Sequence, residues 1–387
     1  MVALPVSKLR VAFFPEYFYP HVGGAETWTA NVASCLTTLG HHVEIFTYRM
    51  PAATYDQSVF GVQVHRIGRP FVIAGSRPYF KRFLIHATGS FLALMKGKRF
   101  DVVIAQYTPL LPLKFVSRIR GLPIVAIFHD VYGLESSIEQ KGLFRGLIRY
   151  VFGDLLITRL RYDGIVAVSD ATERKLRRFR CKTTQIKVVR NAVDVDLIDS
   201  TAARKIPKQI CFVGRLLKHK HVDDLLRSFA RVLKREPNAK LIVIGDGDEK
   251  GRLVSLAQEL GIGSSVNFTG FVEDKEKIRL MKSSELLVLP STDEGWGNVI
   301  TEAIACGLNT ISYDIPALRE QTRFFHSIVL VPPHNLDALA RAIEHSLSKG
   351  DHHSVLADSA KVRSDFTWMR RAEELEQFLY QVTKGRD

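Results

Sequence analysis

The chain has 387 residues, of which 46% are hydrophobic and 24% are charged. At about 150 residues per domain this length predicts two or three domains. The ordinary composition excludes a disordered chain, a collagen-like fibre and a disulfide-stapled miniprotein. The four cysteines are far apart in sequence and form no Cys-x-x-Cys pair, which argues against a zinc knuckle and against a thioredoxin-type redox site. A reducing compartment fits this cysteine usage best. No signal-peptide pattern is visible, and the most membrane-like uncharged run, Phe83–Met95, is shorter than the roughly 20 residues of a spanning helix.

The net charge of +14 is distributed unevenly along the chain. Residues 1–200 contain 27 Lys/Arg against 15 Asp/Glu, a net charge of +12, whereas residues 201–387 contain 27 against 25, a net charge of +2. The excess basicity therefore belongs to the first half. It indicates a polyanionic partner, such as nucleic acid, an anionic bilayer or a phosphorylated substrate.

In the first half, short apolar runs alternate with stretches of helical period. The predicted strands are Leu9–Phe14, Val43–Thr47, Val102–Ala105, Ile124–Phe128 and Ile165–Val168. Because most of these runs are apolar on both faces, they favour a parallel sheet covered by helices. A helix is predicted over Ala25–Leu39, where Gly40 marks its end.

The second half repeats this alternation. The predicted strands are Ile210–Val213, Leu241–Ile244, Val266–Phe268, Leu286–Leu289 and Thr310–Tyr313, and the predicted helices are Val222–Leu233, Gly251–Leu260, Lys275–Met281, Asn298–Ala305 and Leu336–Leu347. Two such halves predict two doubly wound domains. The polar stretch Asp199–Lys208 is the predicted linker, and Trp368–Thr383 is a predicted amphipathic helix at the end of the chain.

Two glycine-rich loops follow predicted strands. Paired glycines at Gly23-Gly24 let backbone approach an anion at a helix N-terminus, or simply form a tight strand-to-helix turn. The second loop, Gly245–Gly251, resembles a dinucleotide fingerprint but has one residue too many before its last glycine. Asp246 and Asp248 also place negative charge where a pyrophosphate would lie, which argues against NAD.

Arg215 and Lys220 follow the first strand of the second half. The C-terminal edge of an open α/β sheet faces the ligand crevice, so both side chains are candidates for phosphate contacts. Arginine offers a planar fork to phosphate oxygens and lysine a point charge. The alternative is a solvated basic loop, which we prefer for Lys218.

The most specific segment is Pro290–Glu302. Glu294 falls in a glycine-rich turn directly after a strand, and Glu302 falls about one turn inside the next helix. Backbone amides over Gly295–Val299 can hold phosphate or sugar oxygens, and carboxylates accept hydrogen bonds from sugar hydroxyls. The segment predicts a site for a sugar joined to a diphosphate. In the alternative interpretation, Asn298 caps the helix and Glu302 faces solvent.

His129 ends the predicted strand Ile124–Phe128 in the first half. A lone histidine at a strand end is usually structural, although its place at a predicted ligand-facing edge favours a functional role. Two Asp-x-Asp strings, Asp194-Val195-Asp196 and Asp246-Gly247-Asp248, suggest metal ligands, but we prefer turn and loop carboxylates.

Together these segments resemble the retaining glycosyltransferases of family 4. The matching motifs are Gly23-Gly24-Ala25-Glu26, Asn191–Asp194, Gly214–Lys220 and the pair Glu294 and Glu302. The resemblance implies an α/β GT-B fold, with two doubly wound Rossmann-like domains facing a central cleft. It implies an acceptor-binding domain over residues 1–198, a sugar-nucleotide-binding domain over 199–365 and a C-terminal helix over 366–387 that crosses back towards the first domain.

The resemblance also implies roles for single residues. Arg215 and Lys220 would neutralise the departing nucleotide diphosphate, and Glu302 would bind the donor ribose. Glu294 would bind the transferred sugar, with His129 beside it as a further catalytic residue. The remaining donor-binding residues would be Gly24, Gly295, Trp296, Gly297, Asn298 and Val299. No cofactor and no metal are implied, since the basic residues take the place of a metal.

The sequence departs from the family pattern at four places. Ala192 and His221 stand where glycine is usual, and Trp296 stands where phenylalanine is usual. The segment Tyr313–Glu320 occupies a region that often contains paired glycines. His221 changes the expected shape of its loop, Trp296 is a mild change, and Tyr313–Glu320 affects the expected detail of the phosphate side.

The basic first half is the acceptor side of this fold. Aromatic and basic residues mix over Tyr79–Phe100, and Lys141–Leu160 places basic residues on one helical face with Phe144 and Leu147 towards the other. The predicted acceptor or membrane contacts are Lys81, Arg82, Lys96, Lys98 and Arg99, and Arg174–Lys182 is a further basic cluster. Such segments suit an anionic bilayer, at about 1 kcal/mol per basic residue near it. The alternative is that the apolar positions are core and the basic ones merely solvated.

These observations predict a metal-independent hexosyltransferase, with GDP- or UDP-sugar as donor and a glycan or polyprenyl- or lipid-linked acceptor. It would lie in the cytoplasm, peripherally on the inner face of the membrane. The alternatives are a sugar-nucleotide epimerase, which the Glu294–Glu302 motif disfavours, an NAD oxidoreductase, and a basic nucleic-acid-binding protein, for which no helix-turn-helix, RNP or zinc pattern is present. The sugar, the base, the linkage and the oligomeric state are not specified by the sequence.

Overall fold

The computed structural model describes residues 7–21, 23–49, 56–67, 88–92, 94, 100–106, 110–134, 137–138, 142–183, 185–349 and 352–384. It divides the chain into two compact units. The first comprises Met1–Asn191 together with Trp368–Asp387, and the second comprises Ala192–Thr367. Each is described by itself below.

Strands and helices alternate along both units. The strands are β1 Arg10–Phe14, β2 His42–Tyr48, β3 Asp56–Val59, β4 Val62–Ile67, β5 Val102–Gln106, β6 Ile124–Phe128, β7 Gly164–Ala167, β8 Ile186–Val188, β9 Gln209–Val213, β10 Lys240–Ile244, β11 Val266–Gly270, β12 Leu286–Leu289, β13 Asn309–Tyr313 and β14 Ile328–Val331. The helices are α1 Gly24–Thr38, α2 Leu110–Arg120, α3 Leu143–Arg149, α4 Leu156–Thr158, α5 Asp170–Arg178, α6 Val195–Ser200, α7 Val222–Val232, α8 Lys250–Glu259, α9 Asp274–Lys282, α10 Asn298–Ala305, α11 Pro316–Gln321, α12 Leu336–Lys349, α13 His352–Asp365 and α14 Trp368–Lys384. A π-helical segment, Tyr150–Leu155, joins α3 to α4.

The first unit contains a sheet with the strand order β3-β4-β2-β1-β5-β6-β7-β8. Its pairings are parallel except for the β3–β4 hairpin, whose two-residue turn has positive φ at Phe60 and Gly61. That geometry matches the right-handed twist of the paired strands. The central strands β5, β6 and β7 are buried along their whole length, which is why their apolar runs predicted strands correctly.

The second unit contains a parallel sheet with the order β11-β10-β9-β12-β13-β14. Numbered within the unit this is 3-2-1-4-5-6, the order of the dinucleotide-binding Rossmann fold. The direction of strand succession reverses between β9 and β12, which pair through Ile210 and Leu286. In open sheets of this kind, ligands bind beyond the C-terminal ends of the two strands that flank the reversal. The loops after β9 and β12 are therefore where a ligand is expected in this unit.

The last helix, α14, belongs to the first unit and packs against α1. The predicted apolar face is buried, through Ala372, Leu375, Phe378, Leu379 and Val382. A Cβ atom on Gly164 would lie 2.7 Å from the Phe378 ring, so β7 needs glycine there to let α14 approach. His41 Nε2 also lies 2.7 Å from Glu376 Oε1, a contact that joins the helix to the residue directly before β2.

The ten predicted strands are present, each to within two residues of its expected bounds. The division of the chain differs from the expected one, because the second unit begins at Ala192 and not after residue 198. The segment Asp199–Lys208 lies inside this unit, where the Lys205 ammonium donates a hydrogen bond to the Ser284 carbonyl. Among the described residues, no helix is both long enough and apolar enough to cross a bilayer.

Candidate functional site

The loop after β9 is held by the glycine-rich loop after β10. A Cβ atom on Gly245 would lie 2.0 Å from the Gly214 carbonyl oxygen, and one on Gly247 would lie 2.4 Å from the Leu216 carbonyl oxygen. The Leu216 amide donates to the Asp246 carbonyl over 2.9 Å. These glycines are thus required for the close packing of two loops. The fingerprint-like spacing of the second loop has a structural explanation that needs no dinucleotide.

The loop after β9 brings Lys220 to the loop after β12. Lys220 Nζ lies 2.6 Å from Glu294 Oε1, and the two side chains are only 15% and 13% exposed. The turn Lys218–Lys220 is fastened to the same loop, because the Thr292 amide donates to the His219 carbonyl over 2.9 Å. The predicted residues Lys220 and Glu294, 74 positions apart, therefore meet at the strand reversal.

Arg215 and Lys218 lie near this pair in sequence, and both side chains are exposed. Arg215 has no ion-pair partner among the residues that the structure describes. His219, between Lys218 and Lys220, was missed as a site residue. Burial, reinforced by the charges of Lys220 and Arg215, lowers the pKa of His219 to about 4. The imidazole is therefore neutral near pH 7, and the positive charge of this loop comes from its arginine and lysines.

The turn before α10 is rigid. Gly297 has φ of +85°, and a Cβ atom there would lie 2.6 Å from Leu318 Cδ2, so only glycine fits. Trp296 is buried, and its ring nitrogen donates to Thr301 Oγ1 over 3.1 Å. The Gln321 amide donates to the carbonyls of both Trp296 and Gly297. The indole of Trp296 thus serves the core, and only its backbone remains a candidate for ligand contacts.

Helix α10 begins at Asn298, with Gly297 at the cap position and no side-chain cap. The alternative in which Asn298 caps the helix is therefore wrong. The first amides of a helix have no partner within it, and the helix dipole places partial positive charge at this end. The predicted donor-binding stretch, Gly295–Val299, lies at this end of α10.

Glu302 projects from α10 towards Lys277 of the neighbouring helix α9. Lys277 Nζ lies 3.1 Å from Glu302 Oε1, and Glu302 Oε2 is buried without a hydrogen-bond partner. The Glu302 side chain is 19% exposed, so the solvent-facing alternative is wrong. Burial disfavours the charge of Lys277, but Glu302 and Asp274 outweigh burial and raise its pKa. Lys277 is therefore charged at neutral pH, and the second carboxylate oxygen of Glu302 is left for a ligand hydroxyl.

In the first unit, the loop after β1 positions a buried carboxylate that the sequence patterns did not assign to the site. Glu26 is 7% exposed, and its Oε1 lies 3.2 Å from His21 Nδ1. A Cβ atom on Gly23 would lie 2.6 Å from Glu26 Oε2, so the first glycine of the pair makes room for this side chain. Gly24 is exposed as the first residue of α1. The sequence signal was present, since Glu26 is the last residue of the matching motif.

His129 follows β6, and its environment keeps it neutral. The residue as a whole retains some exposed surface, but Nε2 is shielded from solvent and has no hydrogen-bond partner. Burial lowers the pKa of His129 to about 4, against an opposing effect of Glu26. The ring meets Trp28 edge-on, with 5.7 Å between ring centroids. An unpaired, neutral imidazole nitrogen can exchange a hydrogen bond with a ligand hydroxyl.

The predicted acceptor or membrane residues are not placed by the structure. Lys81, Arg82, Lys96, Lys98 and Arg99 all lie outside the described residues. Helix α3 is described, and its apolar side chains Leu143, Phe144 and Leu147 are 73%, 76% and 46% exposed. The alternative that Phe144 and Leu147 are core is therefore wrong. In the third basic cluster, Lys175 and Arg177 pair with Asp130 and Glu173.

The Asp-x-Asp strings have local partners. Asp194 caps α6 by accepting from the Leu197 amide over 2.9 Å. Asp246 accepts from the Gly247 amide over 2.8 Å and from Lys250 over 3.0 Å. These contacts are those of turn and loop carboxylates.

Models of known protein families match the sequences of both units. The model of the family described as "Glycosyltransferase Family 4" matches residues 22–197, and that described as "Glycosyl transferases group 1" matches residues 196–363. The two matches follow one another with almost no overlap, so they account for most of the chain.

Individual relatives and structures agree with these matches. The chain is 25% identical to α-monoglucosyldiacylglycerol synthase of Streptococcus pneumoniae, over 80% of this chain and 72% of that protein. It is 27% identical to phosphatidyl-myo-inositol mannosyltransferase of Mycobacterium tuberculosis, over 86% of each. The structure of sucrose-phosphate synthase from Thermosynechococcus elongatus superimposes with a TM-score of 0.83 at 20% identity, covering 98% of this chain and all of that one. At this identity the structural likeness shows a shared fold.

Proposed function

Since the chain belongs to the family 4 glycosyltransferases, sugar-nucleotide-dependent enzymes with the GT-B fold, we propose that it transfers a hexose such as mannose or glucose from a GDP- or UDP-sugar. The acceptor is a glycan or a lipid-linked molecule, and the anomeric configuration is retained. Transfer requires no metal. The enzyme works peripherally at the cytoplasmic face of a membrane.

The observation that carries this proposal is the Lys220–Glu294 pair at the strand reversal of the second unit. Nucleotide departure concentrates negative charge on the diphosphate, and fixed cations lower the free energy of that state. Lys220 and the exposed Arg215 supply these cations next to a carboxylate that accepts hydrogen bonds from the sugar hydroxyls. Because two basic side chains neutralise the diphosphate, a metal ion has no necessary role in the transfer.

Glu302 supplies a second contact with the donor. Its Oε2 is buried without a partner, and leaving a carboxylate oxygen unsatisfied costs about 1–3 kcal/mol. A ribose hydroxyl satisfies that oxygen, while Lys277 donates a hydrogen bond to Oε1. This arrangement supports a nucleotide donor independently of the diphosphate contacts.

The lipid-linked acceptor and the membrane location are supported by the first unit. Both relatives named above carry a lipid in their names, a glucosyldiacylglycerol and a phosphatidylinositol. The first 200 residues carry a net charge of +12, and Leu143 and Phe144 expose more than two thirds of their surface on α3. Positive charge beside exposed apolar side chains is the composition that binds an anionic membrane interface.

The donor is tested by thermal unfolding with GDP, UDP, their mannose and glucose conjugates, and NAD. A ligand at about 100 times its dissociation constant stabilises the folded protein by about 2.7 kcal/mol. We expect one nucleotide family to raise the melting temperature, with a smaller rise in Arg215→Ala and Glu302→Gln. Glu276→Gln is the matched control, because Glu276 is exposed and pairs with Arg279.

The transfer itself is tested by supplying the stabilising sugar nucleotide with membrane lipid extract. We expect release of the nucleoside diphosphate together with a lipid whose mass has increased by one hexose. Conversion of the sugar nucleotide without any acceptor product would support the epimerase instead. Stabilisation by NAD alone, with no response to any sugar nucleotide, would overturn the proposal.

A further inference from the structure

A cluster of two histidines and one aspartate lies beside the donor site without belonging to it. His221, Asp224 and His334 each present one ligand-type atom, and the three atoms lie within 4.8 Å of one another. His334 Nδ1 is 2.8 Å and His221 Nδ1 is 4.0 Å from Asp224 Oδ2. The two imidazole rings meet edge-on, with 4.5 Å between centroids.

Two members of the cluster hold an unusual backbone conformation. His221 has φ of +45° and His334 has φ of +61°, in the left-handed region that non-glycine residues rarely adopt. Glycine adopts this conformation without strain, whereas a histidine there has a conformational cost that the surrounding contacts must offset.

A second layer of hydrogen bonds orients the cluster. The Thr292 hydroxyl lies 3.1 Å from His221 Nε2, on the side of the ring opposite Nδ1. The Tyr313 hydroxyl donates to Asp224 Oδ2 over 2.7 Å. Metal-binding histidines and carboxylates are typically fixed by such outer contacts, which set the ring orientation and the tautomer.

We propose that His221, Asp224 and His334 bind one divalent transition-metal ion, with zinc as the best fit to two imidazoles and a carboxylate. Bonds of about 2.0–2.1 Å in a tetrahedral site separate the ligand atoms by roughly 3.3 Å, a value that the observed 2.8 Å and 4.0 Å bracket. Three protein ligands leave one position for water. Metal binding at His334 Nδ1 requires the tautomer whose proton lies on Nε2, so the hydrogen bond to Asp224 Oδ2 is replaced by two bonds to the ion.

The ion would fasten three segments of the second unit. His221 ends the Lys218–Lys220 turn, Asp224 lies in the first turn of α7, and His334 lies in the loop between β14 and α12. The site thus holds the turn that carries Lys220. The proposal does not depend on the donor, because the metal is tested without any sugar nucleotide.

The test uses the full chain after treatment with a chelator and removal of the chelator. Titration with Co²⁺ alone is followed by visible absorption, which is intense for four-coordinate Co²⁺ and weak for the hydrated ion. We expect one Co²⁺ per chain, displaced by one equivalent of Zn²⁺. His334→Gln and Asp224→Asn should each lower the affinity at least 100-fold, whereas His345→Gln, an exposed histidine on α12, should leave it unchanged.

His334 is 55% exposed, so its substitution is compatible with folding, and the metal-free melting temperature of each variant verifies this. Absence of stoichiometric Co²⁺ absorption in the wild-type chain would overturn the proposal. Equal Co²⁺ affinity in wild type and His334→Gln would overturn it as well, and would leave the cluster as a hydrogen-bonded clamp of His334, Asp224 and Tyr313.

Discussion

The functional residues of the two units differ in how they are held. In the second unit the candidate residues are charged and paired, as in Lys220 with Glu294 and Lys277 with Glu302. In the first unit the candidate is His129, a neutral imidazole without a partner. Paired charges keep a diphosphate site in place before the ligand arrives, whereas a neutral nitrogen suits a hydroxyl that carries no charge. Under the proposed function, the second unit would stabilise charge and contact the sugar through Glu294, and the first unit would contribute a neutral hydrogen-bonding group, His129.

The largest expected effect comes from removing the charge in the second unit. Lys220→Ala should lower kcat by about 10²–10³-fold, the usual loss when one group that stabilises a developing anion is removed. Lys218→Ala, an exposed lysine two positions away, should change kcat less than threefold. The measurement is the release of nucleoside diphosphate at saturating donor and acceptor.

This result would separate electrostatic catalysis from loop structure. Lys220→Arg should recover part of the lost rate if charge is the important property. Equal losses in Lys220→Ala and Lys218→Ala would contradict the assignment of Lys220 to the diphosphate.

The next largest expected effect is on the pH dependence of stability, through His129 and His219. The pKa of His129 and that of His219 are each lowered to about 4 from an ordinary value near 6.5, so the unfolded chain binds a proton more readily than the folded chain. Stability should therefore rise with pH between about 4 and 6.5 and be fully present above 6.5. The lowering of the pKa of His129 to about 4 corresponds to roughly 3 kcal/mol. His219 is partly exposed, so solvent makes its share smaller. Urea unfolding at several pH values between 4.5 and 7.5 measures this slope.

Replacing each histidine in turn shows how much each unit contributes to the slope of the unfolding free energy against pH. His129→Gln should remove the part that belongs to the first unit, and His219→Gln the part that belongs to the second. His345→Gln, on an exposed position, should leave the slope unchanged. An unchanged slope in His129→Gln would mean that folding does not lower the pKa of His129, and the assignment of a buried imidazole with a lowered pKa would fail.

The sequence predicted the elements whose pattern is local and missed those whose pattern is set by tertiary packing. Strands buried on both faces were recognised because their apolar runs are continuous. β8 was missed because it has only three residues and one of them is a lysine. β14 is a continuous apolar run of four residues, so its sequence did carry the strand signal and was overlooked. The β3–β4 hairpin was missed because Asp56–Val59 carries too few apolar residues to predict a strand.

The same contrast between local pattern and tertiary packing applies to the candidate site. Glu294 and Glu302 were found from their spacing and their places after a strand and within a helix. Lys277 was missed because it reaches Glu302 from a neighbouring helix, 25 positions away in the chain. The neutrality of His129 was equally beyond the sequence, since it arises from burial, with Trp28 packed edge-on against the ring. The polarity of Asp199–Lys208 suggested a linker, although this segment is part of the compact second unit, which begins at Ala192.

The smallest expected effect concerns the exposed apolar side chains of α3. Phe144→Ser removes an aromatic ring that is 76% exposed, and burying such a side chain in an apolar phase is worth about 1.5–3 kcal/mol. Because the ring would insert only partly into an interface, we expect about a tenfold weaker binding to anionic vesicles in sedimentation. Leu356→Ser is the matched control, because Leu356 is 70% exposed but lies in the second unit.

Salt distinguishes the apolar contribution from the electrostatic one. Binding of the wild-type chain should weaken as ionic strength rises, since the positive charge of the first half is then screened. The ratio between wild type and Phe144→Ser should stay constant, because transfer of an aromatic ring does not depend on charge screening. If Phe144→Ser and Leu356→Ser weaken binding equally, α3 has no special role at the membrane. The contrast between the two units would then rest on the charges of the second unit and on His129 alone.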